Sequence, residues 1–184
     1  IVVVETDERE RWVRAELFDA DHFGDAIARL YARQAELLPD GPLRGRAAMT
    51  ARVTATMLTR STEYRLEDVS APDFQAVDHR TVGIGTATGA GFWQRWRDAT
   101  DELAQDPPRA ARGGRAALQC AGEQTYRIED VLALSADGLL RRTTEMGTVR
   151  ASGGTFENGV WILSIFGPDG RQSRIELFDV GREA

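Results

Sequence analysis

The sequence predicts an α+β fold, with short helices preceding a long antiparallel sheet. Two observations predict it. Between residues 20 and 60 apolar side chains recur near the helical period, whereas beyond Arg115 the chain alternates between apolar and polar residues and is punctuated by turn signals. Helices first and meandering strands afterwards is the α+β order.

The elements follow in turn. Ile1-Val2-Val3-Val4 reads as a strand, Asp7 to Glu10 as a charged turn, and the stretch ending Glu16-Leu17-Phe18-Asp19 as a returning strand. Asp21 is placed to cap a helix from His22 to Leu38, whose Phe23, Ile27, Leu30, Tyr31 and Leu38 share a face. Pro39-Asp40-Gly41-Pro42 stops that helix. A second helix is expected from Leu43 to Arg60, with Ala47, Met49, Ala51, Val53 and Met57 giving a small apolar face, and a polar stretch then runs to Ser70. Phe74 to Gly85 reads as a strand ending in a glycine turn, and Ala90 to Leu103 as a third helix bearing Phe92, Trp93, Trp96, Ala99 and Leu103 on one side. Pro107 to Gly114 is a loop. Strands are then expected over 115–121, 125–135, 139–150, 156–166 and 171–179, with Asp137-Gly138 and Asp169-Gly170 as hairpin turns.

Composition removes several classes of function. All 23 basic residues are arginine, which excludes lysine Schiff bases and lysine phosphate cradles, and such a bias most often reflects a GC-rich genome. A net charge of -6 argues against a nucleic-acid surface. The lone Cys120 with His22 and His79 cannot build a His/Cys metal cage; a carboxylate-bound Mg or Ca ion stays open, but no EF-hand loop and no credible phosphate-binding glycine motif is present, and the expectation is no cofactor and no metal site. No apolar run is long enough to span a membrane and no signal segment opens the sequence, so the expected location is the cytoplasm.

One pattern concerns organisation. Arg11, Arg14, Glu16, Leu17, Phe18 and Asp19 recur as Arg171, Arg174, Glu176, Leu177, Phe178 and Asp179, at a constant offset of 160 residues. Over the same offset Ile1-Val2-Val3 matches Trp161-Ile162-Leu163, and the turn at Asp7–Glu10 matches Gly167–Gly170. The expectation is an internal repeat: residues 1–42 hold the closing hairpin of a preceding copy plus a linking helix, and residues 43–184 form the domain proper. An isolated hairpin is marginal in water, so the first one is expected to find a sheet edge.

Asp73-Phe74-Gln75-Ala76-Val77-Asp78-His79-Arg80, then Gly89-Ala90-Gly91-Phe92-Trp93-Gln94-Arg95-Trp96, resembles the strand, loop and glycine-initiated aromatic helix of the SnoaL-like branch of the nuclear-transport-factor-two-like superfamily. Phe166 to Arg171, running on to Ile175-Glu176-Leu177-Phe178-Asp179, is similar to that family's closing hairpin. The resemblance covers about residues 43 to 179. It implies a cone-shaped curved antiparallel sheet wrapped around N-terminal helices, enclosing a mostly apolar pocket. Ketosteroid isomerases, polyketide cyclases, limonene-type epoxide hydrolases and non-catalytic binding or dimerisation modules all share that fold, so fold alone does not choose between them.

By this resemblance Asp78 falls at the general base of the isomerase branch, and His79 replaces the proline common after that acid. A carboxylate in an apolar pocket suits proton abstraction; the alternative is an Asp78–Arg80 pair that only closes a turn. Because side chains alternate along a strand, Asp78 and His79 should face opposite ways. Asp130 shares its phase with Tyr126, Ile128, Leu132 and Leu134, so burial would require an arginine partner. Asp130, Arg142 and Glu145 together would imitate the acid–arginine–acid set of the epoxide hydrolases. Glu176 lies where cyclase relatives place an acid near the cavity, although it belongs to the repeated hairpin. Tyr64, Trp93, Trp96, Tyr126 and Trp161 are the candidate pocket lining, with core packing as the plain alternative. The isomerases' oxyanion-donating tyrosine has no counterpart between Leu43 and Arg60, and the acid that assists it maps near Ile162.

Two functions follow as expectations. The first is a cofactor-independent cyclase, isomerase or epoxide-type hydrolase of secondary metabolism, acting on a small apolar polyketide- or terpenoid-like molecule. The second is a non-catalytic ligand-binding or dimerisation module of a tandem or multidomain protein. The expected protein contact is a homodimer or a neighbouring repeat.

Overall fold

The computed structural model describes residues 1–59, 69–81, 85–89, 91, 125–148 and 154–181, with the side chains of 125, 126, 145, 147, 148 and 156 excepted. The expected third helix over 90–103, the strand over 115–121, the polar stretch before Val69, the loop from Pro107 and Cys120 lie outside these residues. So do Tyr64, Trp93 and Trp96 and the side chains of Tyr126 and Glu145.

The described residues form an α+β structure. The chain runs β1 (Val2–Thr6), β2 (Trp12–Leu17), a 3-10 turn (Ala20–His22), α1 (Phe23–Leu37), α2 (Pro42–Leu58), β3 (Ser70–Asp78), β4 (Thr86–Thr88), β5 (Thr125–Ser135), β6 (Gly138–Thr148), β7 (Thr155–Phe166) and β8 (Gln172–Asp179). Two compact units result, residues 1–70 with 166–172 and residues 71–165 with 173–184. Among the described residues no helix is long and apolar enough to cross a membrane.

In the first unit, β1 and β2 pair antiparallel as a two-stranded sheet of their own, with Val3 opposite Glu16 and Glu5 opposite Arg14. Among the described residues the hairpin joins no other sheet, which leaves a sheet edge on another chain as the expected partner. Its charged face instead engages α1. Arg29 Nε donates to Glu16 at 2.9 and 3.0 Å, Arg33 holds Glu5 at 2.8 and 3.0 Å, and Glu36 accepts from both arginines. Asp21 does not cap α1: the N-cap is His22, and its Nδ1 pairs with Asp25 at 2.6 Å. The nearer carboxylate three residues on takes the imidazole, and the preceding 3-10 turn moves Asp21 out of the capping position. Ala26, Ile27, Tyr31 and Ala35 form the buried face of α1, and Tyr31 meets Phe166 edge-on at 5.8 Å. The α2 helix opens with Pro42 at its first turn, where the missing N–H is harmless. Its Thr50 hydroxyl donates to Gly170 O and Arg46 Nε to Gly167 O, tying the turn before β8 to the helix.

The second unit is a curved, open, six-stranded sheet in the order β4-β3-β8-β7-β6-β5. The β3/β4, β5/β6 and β6/β7 pairs are antiparallel. The β3 and β8 strands run the same way: Arg171 reaches Ser70 where they begin, and His79 N donates to Leu177 O where they end. The sheet is therefore mixed at this seam. The short β4, unforeseen because Gly85 reads as a terminus, returns along β3 with Ala87 opposite Ala76. Phe74, Ala76 and Ala87 form a buried cluster against Ile175. On β6 and β7 the buried face alternates as expected, Leu139 with Ser164, Arg141 with Ile162 and Thr143 with Val160.

Candidate functional site

Two of the acids singled out in the sequence, Asp78 and Glu176, lie towards the shared C-terminal end of β3 and β8, in separate groups. Asp78 closes β3 with its side chain 1% exposed. Arg80, two residues on, folds back so that its Nε and Nη2 each donate to the carboxylate at 2.8 Å, while its backbone N–H donates to Oδ1 at 3.1 Å. This bidentate fork is the strong geometry for an arginine–carboxylate pair, and it closes the turn leaving β3.

His79 faces the other way, as alternation requires. Its ring is half-exposed, stacks on Phe178 at 4.6 Å and 8°, and places Nε2 2.8 Å from Glu176 Oε2. Glu176 is also paired with Arg174, whose Nε lies 2.7 Å from Oε1, close enough for an ion pair though not aligned as a hydrogen bond. Asp179 accepts from both the backbone N–H and the hydroxyl of Thr81, fastening the chain after β3 to the end of β8. The residues drawn together are thus His79, Glu176, Arg174 and Phe178 in one group and Asp78 with Arg80 in another.

Asp130 stands apart. A register shift between Ile128 and Asp130 breaks the phase that grouped it with the apolar positions, and Asp130 is exposed, with Oδ1 accepting from Val131 N at 2.7 Å. Leu132 and Leu134, its supposed companions on a buried face, are exposed as well. Asp130 is opposite Arg142 in register, and Arg142 is opposite Trp161 on β7, so these three align across the sheet. Arg142 is exposed and Trp161 half-buried. The side chain of Glu145 lies outside the described residues.

Sequence reasoning passed over a buried polar row on the inner face of β6 and β7. Arg141 is 6% exposed and donates to Ser164 Oγ at 3.2 Å, and beside it the Thr143 hydroxyl has no partner among the described residues. The available signal was parity: Leu139, Arg141 and Thr143 share the phase of one strand face.

In structure the chain resembles SnoaL-like and NTF2-like proteins. A candidate SnoaL-like polyketide cyclase from Mesorhizobium loti is similar over 71% of this chain and 96% of its own, at 10% identity and a TM-score of 0.46. A protein of ketosteroid isomerase-like fold from Catenulispora acidiphila, solved with trimethylamine, matches over 62% and 72% at 15% identity and a TM-score of 0.43. An NTF2-like protein of unknown function from Exiguobacterium matches over 72% and 88% at 10% identity and a TM-score of 0.41. No protein-family model and no curated protein matches the sequence.

Proposed function

We propose that this SnoaL-like domain is a non-catalytic binding and association module, in which the conspicuous acids hold the sheet together. The Asp78–Arg80 pair carries this reading. A general base must present a carboxylate oxygen to the proton it removes, within hydrogen-bond reach. Asp78 has its side chain buried and both oxygens engaged by Arg80. Glu176 is likewise occupied, between Arg174 and His79. The test is to replace Asp78 by Asn and measure both urea stability and turnover of a cyclic β,γ-enone and a terpene epoxide. The reading expects a loss of stability and, in the parent protein, turnover no faster than buffer. Parent turnover that Asp78→Asn abolishes at unchanged stability would sink it.

A second reading keeps an acid/base enzyme, a cyclase, isomerase or epoxide-type hydrolase acting on a small apolar molecule. The observation favouring it is the His79–Glu176 contact: a carboxylate that orients a half-exposed imidazole is the arrangement a proton shuttle uses. On that reading His79→Gln removes turnover and leaves the fold intact.

A further inference from the structure

The two hairpins that repeat in sequence also repeat in structure, atom for atom at the turn. Asp7 N donates to Arg11 O at 2.9 Å and Gly167 N to Arg171 O at 2.8 Å; Glu10 N donates to Asp7 O at 2.9 Å and Gly170 N to Gly167 O at 3.0 Å. The left-handed residue is the same one in each turn, Glu10 at φ 60° and Gly170 at φ 82°. The same ion pair crosses each second strand, Arg14 Nε to Glu16 Oε1 at 2.9 Å and Arg174 Nε to Glu176 Oε1 at 2.7 Å. Every one of these pairs is 160 residues apart. Glu10 makes the case sharper than the identities do, because a non-glycine residue rarely adopts positive φ.

The hairpins differ in what surrounds them. β7 and β8 sit inside a sheet, β6 pairing with β7 and β3 with β8. β1 and β2 have no strand on either outer edge among the described residues. The exposures follow: Ile162 is 9% exposed and its counterpart Val2 52%, and Gln172 is 1% exposed against 73% for Trp12. Val13 and Leu17, on the face turned away from the Glu5 and Glu16 carboxylates, are exposed too. The charged face already has its partner in α1, so the apolar face and both edges are what is left open.

We infer that residues 1–19 are the closing hairpin of a second copy of this domain, whose β6-like strand pairs with β1, whose β3-like strand pairs with β2, and whose sheet covers Val2, Val13 and Leu17. The occupant is identified by the molecule itself, since β7–β8 shows what a hairpin of this build is held by. An intact copy of the chain cannot serve, because its own β7 and β8 already fill the place between β6 and β3. The partner must be a copy that lacks its own closing hairpin. This deepens the association half of the function proposed above and holds or fails whether or not Asp78 or His79 does chemistry.

The test adds the missing partner and keeps the whole chain. Residues 20–160 are joined directly ahead of Ile1, which restores the 160-residue spacing, and hydrogen exchange of residues 1–19 is compared with that in the 184-residue chain. The expected result is amide exchange in β1 and β2 slowed about tenfold or more. It should be accompanied by a second cooperative unfolding transition, lost on Leu17→Asp while the transition of the original domain stays. Unchanged exchange of residues 1–19 overturns the inference. An added copy that remains unfolded also overturns it, because every strand it calls for is then present. So does concentration-dependent protection of residues 1–19 in the 184-residue chain alone, which would make the apolar face a contact between hairpins of intact copies.

Discussion

At the scale of single residues, the ion pairs do not carry equal weight. Asp78 and Arg80 are both largely shielded from solvent, and removing one takes a two-point charged contact from the other. Arg80→Met should therefore lower unfolding free energy by about 3 kcal/mol, read from urea denaturation. Arg44 and Asp40 lie in the open, and Arg44→Ala should change the same measurement by less than about 0.5 kcal/mol. Which of these pairs would matter was only partly legible in the sequence. The Asp78–Arg80 spacing suggested a turn-closing pair, and strand alternation separated Asp78 from His79 correctly. The burial expected for Asp130 depended on an unbroken period of two, and a single bulge undid it. The contact of Glu176 with His79 was not legible at all, because the two are 97 residues apart and come near only through a parallel strand pairing.

At the scale of elements, the two repeated turns make opposite demands on the same position. A Cβ added at Gly170 would collide with the backbone oxygen of Arg46, and the φ there is 82°. Gly170→Ala should cost about 2–3 kcal/mol in a thermal or urea melt. At the matching position the exposed Glu10 already tolerates the left-handed conformation. Glu10→Gly should stabilise the hairpin by up to about 1 kcal/mol, visible as slower amide exchange in β1. The strands from Thr125 to Asp179 lie close to their expected bounds because each is long and bounded at one end by Asp-Gly or Pro-Asp-Gly. β4 escaped notice because three residues are too few to show a period.

At the scale of the whole molecule, pH reports on the contact between hairpin and helix. Hydrogen bonds from Arg29 and then Arg33 bring the Glu36 carboxyl down to about 2, below an ordinary value of 4.5. Arg33 lowers Glu5 and Arg29 lowers Glu16 in the same way. A folded pKa below the unfolded one contributes stability that is present above the unfolded value and disappears as pH falls through the folded value. The first unit should therefore weaken between about pH 4.5 and pH 2. A series of urea melts across that range should show the decline, and Glu36→Gln should flatten it. His22 behaves oppositely: Asp25 raises its pKa above 6.5, so its smaller contribution is present at acid pH and fades as pH rises through the folded value.

The strand order β4-β3-β8-β7-β6-β5 bears on synthesis as well as on stability. Because β8 lies between β3 and β7, the β3–β4 ribbon and the β5–β6–β7 meander have no strand joining them until residues 172–179 are in place. On a ribosome the sheet would stay in two halves, each with an open edge, until β8 clears the exit tunnel and stitches them together in one step. A stalled chain ending before Gln172 should accordingly be cut by protease within β3 and β5 to β7, and extension through Asp179 should protect those strands all at once.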